Sequence, residues 1–105
     1  MSQIGVFMGV AVVEMYFPGY RSLKERRAPL KSLMDRLRKR GFSVAVVGPT
    51  NMVQRAWIAI GCISGSASRA SSMMDGACRL VHDPRWETVG VDREVYQFED
   101  MEVRR

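Results

Sequence analysis

The chain has few of the side chains that most often carry out chemistry. Among its 105 residues there is one histidine, His82, and there are two cysteines, Cys62 and Cys78, which lie far apart. This arrangement excludes a disulfide framework and a CxxC redox or zinc motif. His82 stands at a predicted helix end, where a capping role is expected. We therefore predict that the protein is not an enzyme and holds no metal or other cofactor.

One pair of acids leaves an enzymatic alternative open. Asp92 and Glu94 lie two residues apart on a predicted strand, so both point to the same face. The neighbouring Arg93 favours cross-strand ion pairs over an acid/base pair. A small-molecule enzyme would need a deep pocket that holds His82 or these two carboxylates with shifted pKa values. Without such a pocket, no small-molecule substrate is inferred.

Long hydrophobic runs are also missing. The longest apolar stretch, residues 4–13, is about ten residues long and contains two glycines, whereas a helix that spans a bilayer needs about 20. The first residues show no basic segment and no cleavage-site pattern of a secretory signal. We expect a cytoplasmic protein with no membrane association.

Basic residues are plentiful but unevenly placed. Residues 21–40 contain nine of the sixteen lysines and arginines and two acids, a net charge of +7. The other 85 residues contain seven basic and nine acidic groups, a net charge of −2. A concentrated basic patch attracts polyanions better than the same charge spread evenly. The composition therefore indicates a class of partner, but it does not identify a reaction.

The pattern of apolar residues predicts four strands and two helices. Strands are predicted at residues 4–17, 42–47, 53–63 and 86–98, where apolar and other residues alternate. Helices are predicted from the capping box at Ser22 to about residue 40, and from residue 66 to about residue 82. The order β-α-β-β-α-β predicts an α+β, ferredoxin-like fold, with an antiparallel four-stranded sheet and both helices on one face. Residues 1–98 would form this single domain, and residues 99–105 a charged tail.

Pro29 conflicts with a regular first helix. Inside a helix, proline removes one hydrogen bond and clashes with the preceding turn. We expect either a kink between Glu25 and Pro29 or a main helix that begins at Pro29.

The second face of the sheet would remain uncovered in this fold. The two central strands carry apolar residues on both sides, and an open apolar face of this kind usually marks an interface. We predict a homodimer, or a higher oligomer, with its two-fold axis near Val12 and Trp57. The predicted interface residues are Val10, Val12, Tyr16, Trp57 and Ile63.

The first helix carries the candidate binding site. On a helical wheel, four of its cations fall within roughly 60° of each other, next to the apolar stripe. The candidate phosphate contacts are Arg21, Lys24, Arg27, Lys31 and Arg38. A merely solvated basic surface is the alternative. Arg26 falls inside the apolar arc, where it would extend past Leu33 or pair with Glu14.

Aromatic residues offer a second way to bind RNA. Tyr16, Tyr20, Trp57 and Tyr96 could stack on bases, as sheet aromatics do in RNA-recognition modules of similar topology. The aromatic-rich signature of those modules is missing from residues 53–58, which read VQRAWI. Self-association through the open face is therefore the favoured role for these side chains.

The segment EMYFPGYRSLKERR, residues 14–27, resembles the opening of the YlxP-like family of small bacterial proteins of unknown function. Residues 30–46 and 54–60 are similar as well. The sequence departs from the family at Val47, Asn51 and Val53, where the family often has Glu, Asp and Trp. The resemblance implies a ferredoxin-like fold and a cytoplasmic bacterial protein. Such genes often lie near genes for translation initiation and ribosome maturation, which implies an RNA context.

Two functions follow from these features. The first is a non-enzymatic protein that holds RNA phosphates on its first helix, without base-specific contacts. The second is a protein-interaction module that forms a homodimer through the open sheet face and has no nucleic-acid role. Its basic helix would then meet an acidic partner.

Overall fold

The computed structural model describes residues 3–102, with the side chains of residues 4–98. In chain order its elements are β1 (Gln3–Tyr16), α1 (Leu23–Lys39), β2 (Ser43–Val47), β3 (Arg55–Ser64), α2 (Ala67–Leu80) and β4 (Glu87–Glu102). The strands form one sheet in the order β2-β3-β1-β4, and all neighbouring strands are antiparallel. The predicted ferredoxin-like α+β fold is confirmed.

The core lies between the sheet and the two helices. Along β1 the side chains of Ala11, Val13 and Met15 are fully buried, because α2 packs on this side of the central strands. Ile58 and Ile60 of β3 are buried on the same side of the sheet. Helix α1 lies over β2 at the side of the sheet and also contacts α2. This layout turns the outer side of α1 to solvent. Neither helix of the described chain has the length and apolar content needed to cross a membrane.

Helix α1 is continuous through Pro29, so the prediction of a main helix that begins at Pro29 is wrong. The Ser22 hydroxyl accepts a hydrogen bond from the Glu25 backbone N–H at 3.2 Å, which fixes the start of the helix. Pro29 removes the N–H that would bond the Glu25 carbonyl. Glu25 is exposed, so water can bond that carbonyl, while the buried Pro29 ring fills part of the core.

Strand β4 extends four residues beyond its predicted end at Phe98. Residues 99–102 pair with the first residues of β1, in the register Glu102 with Gln3 and Glu99 with Val6. A register shift between Val6 and Phe7 separates this two-stranded ribbon from the rest of the sheet. Part of the predicted tail thus belongs to the sheet, and residues 103–105 lie outside the described residues.

Gly9 is required by a close approach between β1 and α2. A Cβ atom at this position would lie 2.4 Å from Cγ of Met74, which is itself fully buried. We expect Gly9→Ala to lower the free energy of unfolding by about 1–3 kcal/mol, because the core would be overpacked. Gly61→Ala is the matched control, since its Cβ would meet only the Gly9 carbonyl at 3.7 Å. Urea denaturation of both variants checks this, and equal stability of the two would contradict it.

Candidate nucleic-acid interface

Helix α1 has one buried and one exposed side. Its buried residues are Arg26, Pro29, Leu33 and Leu37, which face the sheet. Arg26 is only 6% exposed, and its guanidinium donates hydrogen bonds to the backbone carbonyls of Met52, Arg55 and Thr50. Burial lowers the pKa of this guanidinium, but arginine stays protonated in proteins. The Arg26 guanidinium thus binds the loop between β2 and β3 and is not available to a ligand.

All five candidate phosphate contacts lie on the exposed surface, as the helical wheel predicts for the members within α1. The side chains of Arg21, Lys24 and Arg27 have no acidic partner among the described side chains. Lys31 pairs with Asp35 at 2.7 Å. Arg38 lies 3.8 Å from the same carboxylate.

The contacts of Arg38 and Arg36 show which side of the exposed surface of α1 lies towards β2 and which lies towards α2. Its Nη2 atom donates to the Val44 carbonyl on the outer strand β2 at 3.3 Å. On the other side of the helix, Arg36 lies 3.9 Å from Asp83, which follows α2. The row that contains Lys24, Arg27 and Arg38 therefore runs along the β2 side of α1, and Arg36 stands on the α2 side.

Asp35 partly neutralises the basic row. The hydrogen bond from Lys31 lowers the pKa of the Asp35 carboxyl, and the charges of Arg38 and Lys39 lower it further. The carboxylate is therefore ionised at neutral pH. One anion shared by two cations leaves the surface positive, and the pair is exposed, so it stabilises the fold little.

A shallow trough of about 400 Å³ lies along the outer side of α1. It is lined by the small residues Ala28 and Ser32 and by the carboxylate of Asp35, with Lys31 on the β2 side and Arg36 on the α2 side. Lys39 also lines it. Arg36 and Lys39 were not among the predicted contacts, because the helical-wheel argument selected the densest group of cations only. The structure shows cations on both sides of the exposed surface.

The open face of the sheet holds all five predicted interface residues. Val12 is 37% exposed and Ile63 is 69% exposed. Val10, Tyr16 and Trp57 are half-buried by their neighbours. The exposed apolar surface is thus greatest near Ile63 and not at Trp57. Ile63 pairs with Met8, close to the point where the ribbon of β1 and β4 begins.

Trp57 is held by a charged neighbour on β1. Its Nε1 donates to the Glu14 carboxylate at 3.2 Å, and the Arg55 guanidinium donates to the other carboxylate oxygen at the same distance. The suggested pairing of Arg26 with Glu14 is therefore wrong, because Arg55 takes that position. The register explains this, since β3 places Trp57 opposite Glu14 and Arg55 opposite Tyr16.

The acids of β4 are also arranged differently from the prediction. Arg93 points to the helix side, where it pairs with Asp75 of α2 at 2.8 Å. Asp92 and Glu94 lie opposite Val12 and Val10 on the open face. Neither forms an ion pair within the described side chains, so the predicted cross-strand pairs with Arg93 are wrong. The two carboxylates line a shallow depression with Val10 and Val12.

One family of proteins matches this chain. The family described as "Protein of unknown function (DUF503)" matches residues 8–93. Because the match covers most of the chain, the protein belongs to this family. No curated protein matches the chain.

Proposed function

We propose that this DUF503 protein is a non-enzymatic binding protein that holds RNA phosphates on the exposed side of α1. The observation that carries the proposal is the row of cations on one side of a single helix. Its phosphate contacts are Arg21, Lys24, Arg27, Lys31 and Arg38. Three of these side chains lack an acidic partner in the described structure. A surface that served only stability would mix charges of both signs.

The context of the proposal is a cytoplasmic bacterial protein with a role in ribosome maturation or translation. The resemblance of residues 14–27 to the YlxP-like family supports this context. The exposed cations supply contacts to phosphates and no readout of base edges. Selectivity would therefore come from the shape of the RNA or from a protein partner.

The open sheet face supports a second candidate, a protein-interaction module that forms homodimers and has no nucleic-acid role. Its specific observation is the exposed apolar surface around Val12 and Ile63. In this case the basic side of α1 would meet an acidic protein. Salt would weaken both kinds of binding. Competition by RNA and direct crosslinking to RNA separate the two candidates.

Replacement of Lys24, Arg27 and Lys31 by alanine tests the proposed RNA contacts. The triple variant should bind unrelated RNA sequences more weakly, because it loses contacts to phosphates that every sequence shares. A plot of log affinity against log salt concentration should also become less steep. The magnitude of its slope should decrease by roughly 0.9 per lost contact for a duplex and by roughly 0.7 for a single strand. Fluorescence anisotropy over a series of salt concentrations measures both quantities.

The matched control replaces Arg69 and Arg79 of α2, two exposed arginines outside the row. This variant should keep both the affinity and the slope. If the wild-type protein shows no affinity for RNA even near roughly 50 mM salt, where phosphate contacts are strong, the proposed function is wrong.

A further inference from the structure

We infer that the RNA held by α1 is a double-helical segment and not an unpaired strand. This inference rests on the proposed function and narrows its ligand to one class. Two arrangements in the structure lead to it. One is the two-sided placement of cations on α1, and the other is the position of the aromatic side chains.

The backbone of α1 fixes the spacing of its cations along the helix, and these cations form a frame for phosphates. Lys31 and Arg36 stand on opposite sides of the trough over Ala28 and Ser32, and the one acid that lines it, Asp35, is paired with Lys31. From Lys24 to Lys39 the frame extends about 22 Å at 1.5 Å per residue. At the 3.4 Å step of a DNA strand this length corresponds to roughly six base steps, and it covers somewhat more in an RNA duplex, whose A-form steps are shorter. A double helix presents its phosphates as regular ridges, which can enter a trough with cations on both sides.

Most of the candidate aromatic side chains lie on the far side of the sheet from α1. Helix α1 contains no aromatic residue. Tyr16, Trp57 and Tyr96 lie on the open face, on the opposite side of the sheet from the helices. Tyr20 is half-buried, with its ring against Phe17 at 5.2 Å. Proteins that bind single strands gain affinity from each base that stacks on an aromatic ring, and α1 offers no such ring.

The consequence is a ligand that needs no contact to its bases. In a duplex the bases are already stacked and paired, so a protein that reads only phosphates loses nothing by leaving them covered. An unpaired strand would have to be ordered along α1 without stacking. The phosphate frame on α1 therefore favours the duplex.

A comparison of two RNAs of equal length tests this inference. One forms a stem-loop with about 12 base pairs, which is longer than the frame on α1, and the other is unstructured. The wild-type protein should bind the stem-loop at least about tenfold more tightly at equal salt. Replacement of Arg36 and Lys39 by alanine should remove most of this preference, because only the cations on the β2 side remain. Arg69→Ala on α2 should leave the preference unchanged.

The outcomes separate this inference from the proposed function. If the unstructured RNA binds as tightly as the stem-loop, and the triple variant of Lys24, Arg27 and Lys31 loses both, the preference for duplex is wrong and RNA binding by α1 stands. If the variant of Arg36 and Lys39 keeps the full preference, the two-sided frame is wrong. If neither RNA binds, both proposals are wrong.

Discussion

Arg26→Ala is expected to lower the free energy of unfolding by about 3 kcal/mol. The side chain is buried on α1 and donates to three backbone carbonyls of residues 50–55. Alanine removes the donors, and it also removes the aliphatic stem that packs in the core. The loop between β2 and β3 would lose its main attachment to α1. Chemical denaturation monitored by tryptophan fluorescence measures the loss.

Two further variants show which part of Arg26 is responsible. Arg27→Ala is the matched control, since Arg27 is the next residue of the same helix but is exposed, and a change within about 0.5 kcal/mol is expected. Arg26→Met keeps most of the stem and removes the donors, so it should lie between the wild type and Arg26→Ala. Equal stability of Arg26→Ala and the wild type would show that the hydrogen bonds from the guanidinium to the three carbonyls do not stabilise the fold.

The order of elements could be predicted because each element carries its own periodic signal. The alternation on β1 and β3 and the capping box at Ser22 are local patterns, and the fold follows from their order. The position of Arg26 inside the apolar arc likewise indicated a structural role. Its partners could not be predicted, because they are carbonyls of a loop, and every residue type carries a carbonyl.

Features that depend on strand register were harder to predict. Glu99–Glu102 is rich in charge and resembles a tail, yet it pairs with the start of β1. The partner of Trp57 depends on the offset between β1 and β3, which the apolar pattern of the two strands does not determine. The register between β1 and β4 likewise decides on which face of the sheet Arg93 lies. It pairs with the buried Ala11, so it lies on the helix side. Sequence patterns thus located the basic side of α1 more completely than the details of the sheet face.

We expect Ile63→Glu to convert the proposed dimer into a monomer that keeps its fold. The open sheet face is not covered by α1 or α2, and Ile63 is its most exposed large apolar residue in the described structure. Removal of roughly 400 Å² of apolar surface per subunit would contribute about 10 kcal/mol for each subunit before the costs of association. These costs would absorb much of the gain, so the proposed dimer would have moderate affinity. A carboxylate at residue 63 would be buried there without a partner.

A pair of further variants locates the dimer contact. Trp57→Glu should also yield monomers if the two-fold axis lies near Val12 and Trp57, but it places a second carboxylate opposite Glu14 and so risks the fold. Ile63→Glu avoids this problem.

Val46→Glu is the matched control. Val46 is an apolar residue that is 41% exposed, but its side chain lies on the helix side of the sheet, opposite Ile58. Sedimentation velocity at tens of micromolar should show dimers for the wild type and Val46→Glu. A monomeric wild type would overturn the dimer, and a dimeric Ile63→Glu would exclude this end of the face from the contact.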